Sequence, residues 1–438
     1  MKKFLAALAV LVTALAVGLA ARPAFAASGF TVSGTRILDA TGTEFVMRGV
    51  NHPHAWYTSR TPQALADIKA RGANTVRVVL GSGQRWGPTT AAEITTLIGQ
   101  CKANRLICVL EAHDTTGYGE QAGAATLDQA VDYWISVKSA LAGQEAYVIL
   151  NIGNEPYGNT NATAWTAATT SAITRLRAAG FEHSIMVDAP NWGQDWQFVM
   201  RDNAAAVFAA DPRRNTIFSI HMYGVFDTAA EVTDYLGRFR SAGLPLVIGE
   251  FGNLHSDGDP DENAIMATAQ QLGVGYLGWS WSGNGGGVEY LDLVTNFDGT
   301  ALTSWGQRLF TGANGIASTS REAAVFGGSP SSPTPSNPPP ASSCAAALSV
   351  NSWGGGFVAT VKVTAGATAL TGWRASVTLP SGTAVTNTWG ATAGSSSGTV
   401  QFTNVAYNGR LAAGASTEFG FQGTGSAPSA APSCAGIS

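Results

Sequence analysis

Two apolar runs each end in a carboxylate. "YVILNIGNEPYG" (147–158) passes from Val148-Ile149-Leu150 to Glu155, which stands between Asn154 and Pro156. "LPLVIGEFGN" (244–253) ends in Glu250, followed by Phe251 and Gly252. A charge carried out of a buried strand is costly unless it is paired or used. Two carboxyls that face each other can cleave a glycosidic bond, one protonated to assist the leaving oxygen and the other ionised to meet the oxocarbenium-like centre.

Other polar groups collect at the ends of similar runs. They include Asn51, His52 and His54, then Arg77, His113 and Asp114, and further on Asn191, Trp192, His221, Tyr223, Trp279 and Trp281. Arg77 is a fixed cation able to pair with the Glu250 carboxylate, and Tyr223 can donate a hydrogen bond to the same group. Glu155 has no evident cationic partner beyond a histidine, so it keeps a proton more readily. His113 and His221 can bond the carboxylates or a sugar, or serve only as satisfied core histidines.

The elements that must position these groups alternate. Strand-like runs recur at 45–51, 74–80, 106–114, 146–156, 184–192, 216–224, 245–253 and 274–284. Helical stretches such as "TPQALADIKARG" (61–72), "DQAVDYWISVKSALAG" (128–143) and "DTAAEVTDYLGRFRSAG" (227–243) lie between them. Eight strands in βα order make the fold class α/β and predict a (β/α)8 TIM barrel, whose chemistry sits where strands end and βα loops begin. A doubly wound open sheet is the alternative, but no Gly-rich phosphate fingerprint follows the first strand.

The chain opens with "MKKFLAALAVLVTALAVGLAARPAFA", in which a positive head and an apolar stretch lead to a small-residue cleavage site. This is the pattern of a secretory signal peptide over 1–26, and the apolar run is short for a membrane anchor. The expected location is extracellular. Without that segment 22 basic residues face 29 acidic ones, a net charge of −7. No basic patch favours nucleic acid or a membrane, so the expected partner is neutral or not chosen by charge. The 12 Trp suit the faces of sugar rings as well as cores.

"GGSPSSPTPSNPPPASS" (327–343) reads as an extended spacer between a catalytic domain over 27–326 and a module over 344–438. The module's alternating strands predict a small antiparallel β-sandwich. Cys344 and Cys434 bracket it, and a disulfide joining its ends is expected in an oxidising compartment. A second bridge between Cys101 and Cys108 is expected too, with buried free thiols as the alternative. "NLHSDGDPDENAI" (253–265) crowds Asp257, Asp259, Asp261 and Glu262, a candidate structural Ca²⁺ site. Equally, Asp259 can cap the next helix with Pro260 in its first turn. The hydrolysis itself requires no cofactor.

Asn154-Glu155 in "NIGNEP", Glu250 in "GEFG", His221 and Tyr223 in "HMY", Arg77 in "TVRVVL" and Trp279 in "GWSW" together resemble glycoside hydrolase family 5. The resemblance implies that Glu155 is the acid/base, Glu250 the nucleophile and the outcome retention. It also places Asn154 on the sugar 2-OH, and puts Arg77, His113, His221, Tyr223 and Trp279 at recurrent active-site positions. Trp281, two residues along, should share a face with Trp279, so either can be the sugar platform. "LEAHDTTGYGE" (110–120) and "GWSWSGNGGGVEYLDL" (278–293) are similar to bacterial endo-β-1,4-mannanases of the actinobacterial type. That implies a β-mannan substrate. An endoglucanase is the near alternative, and a non-catalytic cell-wall lectin the competing class.

In the module, "SWGGGF", "LTGWRASV", "TNTWG", "AYNGRLAAG" and "EFGFQG" between the terminal cysteines resemble carbohydrate-binding module family 2. The resemblance implies a flat face of Trp353, Trp389 and Tyr407 for crystalline cellulose, with Trp373 in the core. Tyr407 stands where Trp is usual, which implies weaker binding, and Gly356 fits the cellulose-binding rather than the xylan-binding type. The protein is expected to act as a monomer.

Overall fold

The computed structural model describes residues 29–327, 344–366, 368–428 and 432–437. The expected signal peptide over 1–26 and nearly all of the spacer lie outside them. Two compact units divide between residues 330 and 331. Among the described residues no helix is long and apolar enough to cross a membrane.

The first unit opens with a short antiparallel hairpin, β1 (Thr31–Ser33) and β2 (Arg36–Leu38), turning at Gly34 with φ +61°. Eight parallel strands follow: β3 (Arg48–His52), β4 (Thr75–Leu80), β5 (Ile107–Ala112), β6 (Val148–Asn151), β7 (Ile185–Asp188), β8 (Thr216–Met222), β9 (Leu246–Phe251) and β10 (Gly275–Gly278). They close into a barrel in the order β10-β3-β4-β5-β6-β7-β8-β9. Every residue of these eight strands is buried, so apolar runs rather than polar alternation mark them in the sequence. The hairpin was not anticipated. Its Phe30 and Ile37 join Met47, Ile107, Ile149, Met186, Ile217 and Val247 in the core that fills the barrel near the strand starts.

Period-2 geometry sorts the strand residues. Val76, Val78 and Leu80 face the helices, as do Cys108 and Leu110, Val148 and Leu150, and Phe218 and Ile220. The intervening positions point inward. Near the strand starts they are apolar except Thr75; near the strand ends they are Asn51, Arg77, Glu111, Asn151, Asp188 and His221. Strict alternation would turn Glu250 outward with Ile248. The pairing instead shifts there, Ile220 opposing Ile248 and His221 opposing Glu250, so Gly249 is an extra residue in β9. Such a bulge re-aims the next side chain, and Glu250 faces the barrel axis. A Cβ on Gly249 would stand 2.2 Å from Ser219 Oγ, so only glycine fits the bulge without displacement.

The helices carry their own start signals. Thr90 with Glu93, Thr126 with Gln129, and Thr228 with Glu231 form reciprocal capping boxes at Ala91–Ala103, Leu127–Ser136 and Ala229–Ala242. The stretch expected as one helix over 128–143 breaks at Val137 into Leu127–Ser136 and Lys138–Leu141.

The second unit is two four-stranded antiparallel sheets. A disulfide joins Cys344 to Cys434, their Cα atoms 5.7 Å apart. Trp373 is fully buried, stacked on Phe419 at 5.2 Å between ring centroids.

Candidate active site

Arg77 lies at the centre of the strand ends, wholly buried. A guanidinium has five N–H donors, and all five are used. Nε donates to Asn151 Oδ1 at 2.8 Å, Nη1 to Asn51 Oδ1 at 2.9 Å and Glu250 Oε1 at 2.7 Å, and Nη2 to Asn154 Oδ1 at 2.7 Å and Asp188 Oδ2 at 2.9 Å. One side chain from β4 thus ties together β3, β6, β7, β9 and the loop after β6. Tyr223 Oη donates to the other Glu250 oxygen at 2.9 Å, so each oxygen of that carboxylate is fixed by a donor.

Glu155 follows β6 with φ +40°, a left-handed conformation that is costly for a non-glycine residue. Its N–H is held at 3.3 Å from Asp188 Oδ2, and its side chain accepts from His221 Nδ1 at 2.8 Å. Reactive atoms of Glu155, His221 and Glu250 all lie within 4.8 Å of one another. Retaining glycosidases hold their two carboxyl groups at about 5–5.5 Å, whereas inverting ones need more room for a water. The pair meets at the shorter spacing.

Burial is the main cause that raises the Glu155 pKa above its ordinary value, and the nearby Glu250 charge adds to it; the bond from His221 acts the other way. His221 itself sits between three carboxylates, with Glu155 at 2.8 Å, Asp188 at 3.4 Å and Glu250 at 3.6 Å. Burial opposes its charge, but the acids outweigh burial and raise its pKa to about 10. Asp188 is driven well below the carboxylate range: burial alone would raise it, and Arg77 and His221 overcome that. A Cβ on Gly193, whose φ is +75°, would fall 2.6 Å from His221 Cγ, so that glycine makes the room the imidazole occupies.

Trp279 and Trp281 part company. β10 ends at Gly278, so strand alternation does not run through them. Trp281 is fully buried, edge-on to Phe310, and is no sugar platform. Trp279 is half-buried, lies parallel to His113 at 5.7 Å, and donates Nε1–H to Asn284 Oδ1 at 2.9 Å. His113 bonds Glu111 at 2.9 Å; burial opposes its charge, and the Glu111 carboxylate raises its pKa despite that. Trp56 and Trp86 pack around His113, each 5.3 Å from it.

A profile described as "Cellulase (glycosyl hydrolase family 5)" matches residues 38–285, more than half of the chain. The chain belongs to glycosyl hydrolase family 5. A profile described as "Cellulose binding domain" matches residues 344–438. Among relatives of the family 5 unit, the mannan endo-1,4-beta-mannosidase of Streptomyces lividans is 66% identical over 73% of this chain and 83% of its own length. That of Cellvibrio japonicus is 55% identical over 72% of this chain and 74% of its own. The mannohexaose complex of the Thermomonospora fusca beta-mannanase is 62% identical with a TM-score of 0.66, covering 68% of this chain and 99% of that one.

Around the family 5 site, two sequence expectations fail, the helix cap at Asp259 and the bridge between Cys101 and Cys108. Among the described residues the only group of three acidic or histidine side chains close enough to share an ion is Glu155, His221 and Glu250. Asp257 is engaged by Gln194, His255 and the Gly224 N–H. Asp261, not Asp259, caps the helix Glu262–Leu272 through Ala264 N–H at 2.8 Å, and Glu262 lies 3.7 Å from Arg308. Cys101 and Cys108 are free, buried thiols with Cys101 donating to Cys108, because helix and strand pack them side by side without a bond. In the module, Trp353, Trp389 and Tyr407 are exposed, Tyr407 to 81%. Gly356 leaves space beside the Trp353 indole, since a Cβ there would come within 3.3 Å of it.

Asp188, Glu111 and Asn151 were missed as site residues because they read as interior positions of apolar strands. The signal available was their place, last or next to last in "VILN", "IMVD" and "ICVLEA".

Arg77→Lys offers three donors where five acceptors wait. The expected result in urea denaturation is a loss of roughly 1–3 kcal/mol for each buried acceptor left without a donor. An unfolding curve matching wild type would contradict the five-bond assignment.

Proposed function

We propose that the protein is a secreted endo-β-1,4-mannanase that hydrolyses mannan, glucomannan or galactomannan with retention, held on crystalline cellulose by its C-terminal module. The observation that carries this reading is the meeting of Glu155 and Glu250 within 4.8 Å, one raised in pKa and the other fixed by Arg77 and Tyr223. Mannan over cellulose is supported by the names of the relatives in Streptomyces lividans and Cellvibrio japonicus. Binding to cellulose is supported by the module's family and its exposed aromatic residues.

In the first step a Glu250 oxygen attacks the anomeric carbon while Glu155 gives its proton to the departing O4, leaving a glycosyl ester on Glu250. In the second, Glu155 takes a proton from water as that water attacks the same carbon and frees Glu250. Asn154 has its amide oxygen on Arg77 and one N–H on Thr116, and its second N–H is available to a sugar 2-OH. Trp279 supplies a half-buried aromatic face for the sugar ring. No step calls for a metal. The module acts through the spacer by raising the local concentration of mannan lying among cellulose fibrils.

Proton NMR of mannohexaose digestion should show the β-anomer of the new reducing end first, with galactomannan and glucomannan cut faster than carboxymethylcellulose. Glu250→Ala should lose activity by roughly 10⁴-fold or more, as removal of a catalytic nucleophile does. An initial α-anomer, or faster cellulose cleavage, would sink the reading.

The pH profile tests the pairing of Glu155 with His221. Cleavage needs Glu155 protonated, so the alkaline limb of kcat/KM follows its deprotonation. The His221 contact favours the ionised form. His221→Ala should therefore move that limb to higher pH while lowering kcat; a limb that moves down would refute the assignment.

A further inference from the structure

Because Glu155 protonates the departing oxygen, the leaving part of the substrate lies on its side of the site. A cleft of about 570 Å³ opens there, lined by Glu155, Tyr223, Asn159, Gln194, Trp192 and Trp196. Trp279 and His113 are not among its walls. A second cleft of about 440 Å³ adjoins it, sharing Trp196 and Val225 and reaching to Phe198 and Tyr235. Trp196 therefore forms part of the wall of both clefts.

The loop that carries it is held against a cost. Asn191, Trp192, Asp195 and Phe198 have φ of +57°, +55°, +47° and +59°, four non-glycine residues in a left-handed conformation within eight positions. Such clusters persist only where surrounding bonds over-determine them, and they mark functional sites. Here the anchor is Asp195, fully buried, which accepts from Met200 N–H and Arg201 N–H at 2.8 Å and from Tyr235 Oη at 2.6 Å. What this anchored loop presents is an indole left 46% exposed. Trp196 Nε1–H donates to Asn159 Oδ1 at 2.6 Å, which fixes the ring's orientation. Phe198 has a partner, the Arg201 guanidinium 3.6 Å over its ring. Among the described residues no aromatic or cationic side chain stacks on Trp196.

We infer that Trp196, held by Asn159 and the loop 191–198, is an outlying sugar-stacking site for the leaving-group segment of the substrate, which favours long chains over short ones. This rests on the mannanase reading above, and the occupant is the continuation of the same β-mannan chain beyond the cleft beside Glu155. A fixed, exposed indole suits the apolar face of a sugar ring, and its place on the cleft that also holds Glu155 puts it within the path of the departing chain.

The test compares kcat/KM on mannohexaose with kcat/KM on an aryl β-mannotrioside, whose leaving group is a small phenol that stops short of Trp196. In Trp196→Ala the ratio of the two should fall about tenfold, the loss of one modest contact, and the change should lie in KM more than in kcat. Asn159→Ala, which frees the indole without removing it, should lower the ratio by a smaller factor, and Trp196→Phe should restore most of it. A variant that loses equally on both substrates, or whose ratio matches wild type, overturns the inference while leaving the mannanase reading intact. A wild type that cleaves neither substrate overturns both.

Discussion

One buried guanidinium organises the strand ends of this barrel. Arg77 has no spare N–H: each of its five finds an oxygen, two of them carboxylates. Taking a cation out of water is unfavourable unless every donor is met, so the structure accepts Arg77 only with all five partners in place. That requirement fixes Asn51, Asn151, Asn154, Asp188 and Glu250 relative to one another. A lysine, with three donors on a point charge, cannot impose the same geometry. The site is rigid because the charge at its centre would otherwise be stranded.

Two departures from regular backbone then aim the carboxyls. Gly249 inserts itself into β9 and turns Glu250 to the axis; Glu155 takes a left-handed turn after β6 and is held by Asp188. The acids end within reach of each other but in unlike company. Glu250 meets a permanent cation and a phenol, whereas Glu155 meets an imidazole in a desolvated setting that favours its neutral form. Different roles for two chemically equal residues follow from those surroundings. His221, charged between three carboxylates, links the halves of the site.

Much of this was legible in the sequence, for physical reasons that can be named. Fully buried parallel strands leave unbroken apolar runs, so the eight strands and the carboxylates at their ends stood out. What stayed hidden depended on side-chain direction or on local backbone detail. Asp188 and Glu111 looked like interior strand residues because nothing in a single strand shows that its neighbours supply the opposite charge. Trp281 was grouped with Trp279 by a period that the chain abandons after Gly278. Spacing alone suggested a bridge between Cys101 and Cys108 and a helix cap at Asp259. The structure instead packs the thiols unbonded and caps the helix with Asp261. The bulge at Gly249 left no mark beyond the glycine itself.

If the central cation fixes Glu250 as the attacking group, the covalent intermediate must form there. The direct measurement is to trap it with an activated 2-deoxy-2-fluoro-β-mannoside and map the labelled peptide by mass spectrometry. The account predicts a single adduct of one glycosyl unit on the peptide containing Glu250. An adduct on Glu155, or inactivation by the reagent with no adduct on the peptide containing Glu250, would contradict it.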